Sequence, residues 1–153
     1  WTFERKEKAK AAGLTENEVI TLASIVDEET SNVAEMPKIA GMYINRLHIN
    51  MPLQADPTVK FATKNFTAHR IYQKWLTVDS PYNTYKYRGL PPGPIRIPSV
   101  EAIDAVLNYV HHDYIYMCAK EDFSGTHNFA KTYEEHQINA AKYAKALNVR
   151  GIQ

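Results

Sequence analysis

The pattern of apolar and polar residues predicts helices over most of the chain. The clearest one begins at Thr15, which forms a capping box with Glu18, and its apolar residues recur at helical spacing to about Thr30. A second helix follows Pro37, a residue suited to a first turn, and ends near Asn50. Further helices are predicted at about 57–62, at about 71–76, from the Ser99 cap to about Tyr109, and from a Thr132/Glu135 capping box to about Asn148.

Two short strands and one long loop complete the predicted architecture. The apolar run Tyr114–Ala119 is typical of a buried strand, and Thr126–Lys131 can pair with it across a turn at Ser124-Gly125. The segment Ser80–Pro98, rich in Pro and Tyr, is predicted to be a functional loop. We therefore expect a mostly helical α+β single domain with a small antiparallel sheet. Residues 1–13 are expected to be a lead-in from an upstream region, and residues 14–153 the domain itself.

Composition and charge narrow the function classes. The chain has 153 residues, of which 44% are apolar, and 18 basic against 17 acidic side chains leave a net charge of +1. This balance gives no general electrostatic attraction to nucleic acid or to an anionic membrane. The single cysteine excludes an internal disulfide, and the histidine spacings fit no common metal site. The sequence also contains no glycine-rich phosphate loop and no nucleophile elbow.

Glu29 is the first candidate for chemistry. On the predicted helix it lies about 60° from the centre of the apolar stripe, whereas Glu28 lies about 160° away and should be solvated. Apolar surroundings and the negative end of the helix dipole both favour the protonated carboxyl, so we expect a raised pKa. Such a group suits a general acid. The alternative is a structural glutamate that caps the helix or pairs with Arg46 or a lysine.

Three further positions have both a functional and a structural interpretation. Asp56 could face Glu29 as a second carboxylate or cap a helix at Pro57. The segment 80–85, with Tyr82, Asn83 and Tyr85, offers aromatic faces and amides that suit a sugar, or it packs on the core. His127 could face a cleft from the edge of the hairpin or make a structural hydrogen bond.

Several blocks together resemble a known family. Leu22–Thr30 reads LASIVDEET and is similar to the LASIVEKET signature of the YceG-like family. The resemblance continues, in order, through Ile44–Leu47, Met51–Val59, Ser80–Tyr85, Gly89–Ile95 and Gly125–His127. It covers about residues 14–147. Asp27 and Glu28 depart from the signature, which has Glu and Lys at these positions.

The resemblance implies an endolytic lytic transglycosylase of peptidoglycan. Such an enzyme cleaves the β-1,4 bond between N-acetylmuramic acid and N-acetylglucosamine and leaves 1,6-anhydro ends. Glu29 matches the family's catalytic glutamate and would act as both acid and base, with no metal or organic cofactor. The expected sugar contacts are Asn45, Gln54, Asp56, Tyr82, Asn83, Tyr85 and His127.

The resemblance also implies a cellular setting. Peptidoglycan strands would be the substrate and peptidoglycan synthases the protein partners, with no role for nucleic acid. A missing N-terminal segment would anchor the protein in the cytoplasmic membrane of a bacterium, so that this domain faces the cell wall. Two alternatives stay open: a two-carboxylate glycoside hydrolase that uses Glu29 and Asp56, and a non-catalytic module that binds cell-wall glycan.

Overall fold

Helices and one hairpin build the part of the chain that the computed structural model describes, which is residues 1–64 and 73–151. This confirms the predicted α+β class. The elements in chain order are α1 Phe3–Ala11, α2 Glu16–Glu29, α3 Met36–His48, α4 Asp56–Thr63, α5 Val100–Leu107, β1 Tyr116–Ala119, β2 His127–Ala130 and α6 Tyr133–Arg150, with 3-10 turns at Val33–Glu35 and Gln73–Thr77. The helix predicted near 71–76 begins outside the described residues, and its remainder is the second 3-10 turn.

Local caps place the helix starts where the sequence predicts them. The Thr15 hydroxyl accepts a hydrogen bond from the Glu18 amide, and the Thr15 amide donates to the Glu18 carboxylate, which completes a capping box. Ser99 caps α5 through the Ala102 amide. Thr132 caps α6 in the same way through Glu135. The reciprocal bond of a Thr132/Glu135 box is not found among the described residues, so this predicted box is only a simple cap.

Helices α1, α2, α3 and α5 share one apolar core. The stripe of α2 contributes Val19, Leu22, Ile25 and Val26, all fully buried. The first residues of the chain, predicted to be a lead-in, form α1, and Ala9 of α1 is buried in the same core. Among the described residues, no helix combines the length and the apolar content needed to cross a membrane.

The hairpin is antiparallel, with Tyr116 opposite Ala130 and Cys118 opposite Asn128. Helix α6 packs against it. Strand β1 is shorter than predicted and begins at Tyr116 rather than Tyr114. It is also half-buried rather than buried, because Met117, Cys118 and Ala119 line an open cleft.

The segment predicted as a long loop has no helix or strand over the described residues 78–98. It is fastened to the helical core at several points. The Ile95 amide donates to the Ser24 hydroxyl of α2 at 3.0 Å, and the Thr84 hydroxyl accepts from the Ala55 amide at 2.8 Å. These bonds hold the loop beside the end of α2.

Candidate active site

A cleft of about 390 Å³ lies between the helical core and the hairpin with α6. Glu29, the last residue of α2, lies in its wall, and a second cavity of about 200 Å³ shares the lining residues Glu29, Ala119, His127 and Tyr143 with the first. The polar side chains that line the larger cleft are Glu28, Glu29, Tyr43, Arg46, Gln54, Asp56, Lys60, Tyr85, Cys118, His127, His136 and Tyr143.

Glu29 occupies the position that the helical phase predicts. Its side chain is half-buried, whereas that of Glu28 is exposed and pairs with Arg96 at 3.2 Å. Burial raises the pKa of the Glu29 carboxyl from 4.5 to about 7, and the negative charge of Asp56 adds to this effect. A hydrogen bond from the Tyr43 hydroxyl to Oε1, 2.6 Å long, partly offsets the rise in pKa, and the charge of Lys60 acts in the same direction.

The proposed pairing of Glu29 with Arg46 does not occur. Arg46 is only 5% exposed, and its guanidinium donates to the main-chain carbonyls of Ile115, Pro52 and Leu53 at 2.6–2.9 Å. Arg46 therefore lines the cleft with its charge, and its hydrogen bonds fix the main chain before β1 and before α4.

Asp56 and Tyr85 form a second phenol–carboxylate pair in the same cleft. The Tyr85 hydroxyl donates to Asp56 Oδ1 at 2.5 Å. Desolvation by the cleft walls raises the pKa of Asp56, and the bond from Tyr85 opposes this. Burial, followed by the charge of Asp56, raises the pKa of the Tyr85 hydroxyl, so that group is a hydrogen-bond donor at neutral pH. Asp56 is the first residue of α4, but the N-cap is Ala55 and no side-chain bond caps this helix, so the alternative that Asp56 caps the helix is wrong.

Gln54 and His127 also lie in the cleft. Gln54 has a φ of 50°, a strained conformation for a residue other than glycine. Its main-chain amide donates to the main-chain carbonyl of Thr84. Gln54 is exposed and is one of the residues that line the cleft. His127 begins β2 and lies against Glu35, with 2.6 Å between His127 Nδ1 and Glu35 Oε1.

The structure gives two predicted sugar contacts a structural role instead. Asn45 donates from its amide to the carbonyls of His112 and Tyr114 at 2.8 and 2.9 Å, which fastens the segment before β1. Asn83 is completely buried and donates to the carbonyls of Leu76 and Val78. A ligand cannot reach Asn83 in this arrangement, because its polar atoms satisfy the loop itself.

Tyr82 lies outside the main cleft. Its ring packs on Phe61 with 4.8 Å between ring centroids, beside a small cavity of about 60 Å³ lined in part by Lys60 and Glu28. Asp27, which departs from the family signature, faces the start of α5, where its carboxylate accepts the Ser99 amide at 2.7 Å. The substitution at this position thus concerns the contact between α2 and α5.

Several residues of the site were not singled out by the sequence analysis, notably Tyr43, Lys60, Glu35 and His136. Tyr43 belongs to the apolar face of α3. Its hydroxyl group, which needs a hydrogen-bond partner when buried, was the only feature of the sequence that could have pointed to a role in the site. Lys60 follows Asp56 by one helical turn, a spacing that places both on one face of α4. Among the described residues, no group of three or more His, Cys, Asp and Glu side chains could hold a metal ion.

Comparison with known proteins agrees with the resemblance. The model of the YceG-like family matches residues 1–142. The endolytic murein transglycosylase of Bacillus subtilis is 39% identical over 94% of this chain and 39% of its own length. The protein of the same name from Streptococcus pneumoniae is 34% identical over 90% of this chain and 25% of its own length. The chain thus spans well under half of these curated relatives.

A solved structure shows the same fold. The crystal structure of a yceG-like protein from Listeria monocytogenes superposes with a TM-score of 0.79 at 36% identity, over 88% of this chain and 43% of the other. Family model, curated relatives and structure all align with the region that contains the cleft. The chain belongs to the YceG-like family.

Proposed function

We propose that this domain cleaves peptidoglycan strands as an endolytic lytic transglycosylase, with Glu29 as the catalytic acid and base. The observation that carries the proposal is Glu29 itself, a carboxyl group with a pKa of about 7 in the wall of a cleft. Such a group is substantially protonated near neutral pH and can also take a proton back. The relatives named endolytic murein transglycosylase support peptidoglycan as the substrate.

The contact with Tyr43 favours a definite proton position. Tyr43 donates to Oε1 of Glu29, so the transferable proton resides on Oε2. Glu29 gives this proton to the glycosidic oxygen while the bond from that oxygen to C1 of N-acetylmuramic acid breaks. The C6 hydroxyl of the same sugar then attacks C1 and returns its proton to Glu29. The product is a 1,6-anhydro end, the carboxyl is regenerated, and no water is consumed.

The two cavities support cleavage within a strand. Because Glu29 lines both cavities, of about 390 and 200 Å³, sugars on both sides of the scissile bond have space to bind. Gln54, Asp56, Tyr85 and His127 are the proposed sugar contacts, since all four line the larger cleft. Tyr82 would contact a sugar only beyond that cleft, beside Phe61. Asn45 and Asn83 are not among the proposed contacts, because their side-chain amides donate to main-chain carbonyls within the protein.

Action on peptidoglycan would place the protein at the bacterial cell envelope. A cytoplasmic-membrane anchor in an additional segment and cooperation with peptidoglycan synthases belong to the same proposal. They rest on the family resemblance and on the greater length of the curated relatives.

A two-carboxylate hydrolase is the second candidate, and one observation favours it. Asp56 lines the same cleft as Glu29 and is close enough to raise its pKa. In this mechanism Asp56 would serve as base or nucleophile, and water would enter the product. The two mechanisms therefore differ in whether solvent oxygen appears at the new sugar end.

Digestion of purified peptidoglycan in water enriched in heavy oxygen tests both mechanisms. We expect mass spectrometry to show anhydro ends, lighter than reducing ends by one water and free of solvent oxygen. Reducing ends that contain heavy oxygen would instead establish the hydrolase. Glu29→Gln should lower the cleavage rate at least 100-fold, whereas Glu28→Gln, the exposed neighbour, should remain active. A wild-type domain that binds strands without cutting them would establish the binding module.

A further inference from the structure

His127 lines the cleft, is paired with Glu35, and has no part in the proton transfer described above. Glu35 ends the 3-10 turn that follows α2, and His127 begins β2. The carboxylate uses both oxygens: Oε2 accepts the main-chain amide of His127 at 2.8 Å, and Oε1 lies 2.6 Å from Nδ1. The two side chains are only 11% and 8% exposed, so water competes little for these contacts.

This geometry determines which ring nitrogen of His127 carries a proton. A carboxylate can only accept hydrogen bonds, so Nδ1 is the donor to Oε1. The bond from the main-chain amide holds the other oxygen and therefore fixes the orientation of the carboxylate. In the neutral imidazole, Nε2 then presents a lone pair.

Nε2 of His127 is open to the cleft. His127, like Glu29, lines both cavities. Within the described parts of the chain, Nε2 has no hydrogen-bond partner. It is not buried either, because His136 Nδ1 is the only side-chain nitrogen or oxygen there that is both buried and without a partner. Nε2 is therefore an unused acceptor in contact with the space where a substrate would lie. In a glycan strand, the most abundant donors for such a group are hydroxyls.

We propose that Glu35 is a positioning residue that holds His127 in the Nδ1–H tautomer, so that Nε2 accepts a hydrogen bond from a sugar hydroxyl beside the scissile bond. The identity of the sugar rests on the proposed function. A second contact, from the Thr30 hydroxyl to the Gly125 carbonyl at 3.2 Å, ties the hairpin to the same region after α2. Because this contact does not touch the imidazole, it provides a control for the anchoring of the hairpin alone.

Nitrogen NMR of labelled protein tests the tautomer directly. In the wild-type protein, His127 should show a protonated Nδ1 and an unprotonated Nε2. In Glu35→Gln, the side-chain amide facing Nδ1 should donate to it and move the proton to Nε2. Soluble uncross-linked glycan strands, added to Glu29→Gln protein, should shift the Nε2 signal. This arm does not depend on cleavage, so it separates the present proposal from the function of Glu29, and it remains decisive if Glu35→Gln does not fold.

Kinetics test whether the tautomer matters for the substrate. Glu35→Gln should lower kcat/KM about tenfold, mainly through KM, since a hydrogen bond to the sugar is lost. Thr30→Val should keep the tautomer and change kcat/KM less than twofold. The proposal is overturned by a wild-type Nε2 that carries a proton, whether in the other tautomer or in the imidazolium, by an Nε2 signal that glycan strands do not move, or by a Thr30→Val loss equal to that of Glu35→Gln. The last result would mean that Glu35 only anchors the hairpin.

Discussion

At the scale of single residues, the acid–base role proposed for Glu29 depends on one phenol, that of Tyr43. The Tyr43 hydroxyl stabilises the ionised carboxylate, and burial of Tyr43 keeps the pKa of that phenol well above 10.0, so it remains a donor. Tyr43→Phe removes this bond and should raise the pKa of Glu29 above about 7. Because Glu29 must be protonated to act as the proposed acid, the alkaline limb of the kcat/KM profile should move to higher pH.

Tyr87→Phe is the matched control for this pH profile. Tyr87 also donates to a carboxylate, that of Asp79 at 2.6 Å, but it is exposed and is not among the residues lining the cleft. Its profile should coincide with that of the wild type. An alkaline limb that moves to lower pH in Tyr43→Phe would show that Tyr43 does not stabilise the carboxylate.

The raised pKa of Glu29 also predicts a pH-dependent cost to stability. The folded state binds this proton up to about pH 7, whereas the unfolded chain releases it near 4.5, so stability falls as the pH rises through this interval. Glu29→Gln cannot ionise and should escape the loss. Urea unfolding at pH 5 and pH 8 should show the variant gaining, relative to wild type, up to about 3 kcal/mol at the higher pH. A difference that is constant or reversed would contradict the assigned shift.

At the scale of elements, the crossing of α3 by the segment before β1 depends on a glycine. A Cβ added to Gly41 would lie 2.2 Å from the carbonyl oxygen of Val110 and 3.0 Å from His112 Nε2. Main chain cannot retreat as a flexible side chain can, so Gly41→Ala should lower the free energy of unfolding by about 3 kcal/mol. Gly93→Ala is the control, since its nearest neighbour, the Tyr82 hydroxyl, lies at 3.5 Å. Equal urea midpoints for the two variants would refute the close crossing.

The elements also show what local sequence can predict and what it cannot. Thr15 and Ser99 mark helix starts correctly because a cap involves residues only three positions apart. The start of β1 was misplaced because side chains of α3, Asn45 and Arg46, take the carbonyls of residues 112, 114 and 115. Glu29 could be found from helical phase alone. Its partner Tyr43, fourteen residues away on the next helix, could not.

At the scale of the whole molecule, the site lies where two packed units face each other. Helices α1, α2, α3 and α5 form one unit, and the hairpin with α6 forms the other. Glu29 belongs to the first and His127 to the second. The geometry of the cleft therefore depends on the side chains that bridge the units. The buried Arg46 of α3 is one of them, since it donates to the carbonyl of Ile115, directly before β1, as well as to those of Pro52 and Leu53 before α4.

Arg46→Lys tests this dependence with the charge retained. An ammonium group cannot reproduce the planar fork that reaches carbonyls before β1 and before α4 at once, so buried carbonyls lose their partners. The free energy of unfolding should fall by about 3 kcal/mol, and kcat/KM of the folded protein should also fall, because the two walls of the cleft are no longer held together.

Arg88→Lys, at an exposed position, should change the stability by less than about 0.5 kcal/mol. Urea unfolding and strand cleavage, measured on both variants, decide the matter: an Arg46→Lys protein with wild-type stability would mean that packing of α6 and the hairpin, rather than this guanidinium, holds the cleft in shape.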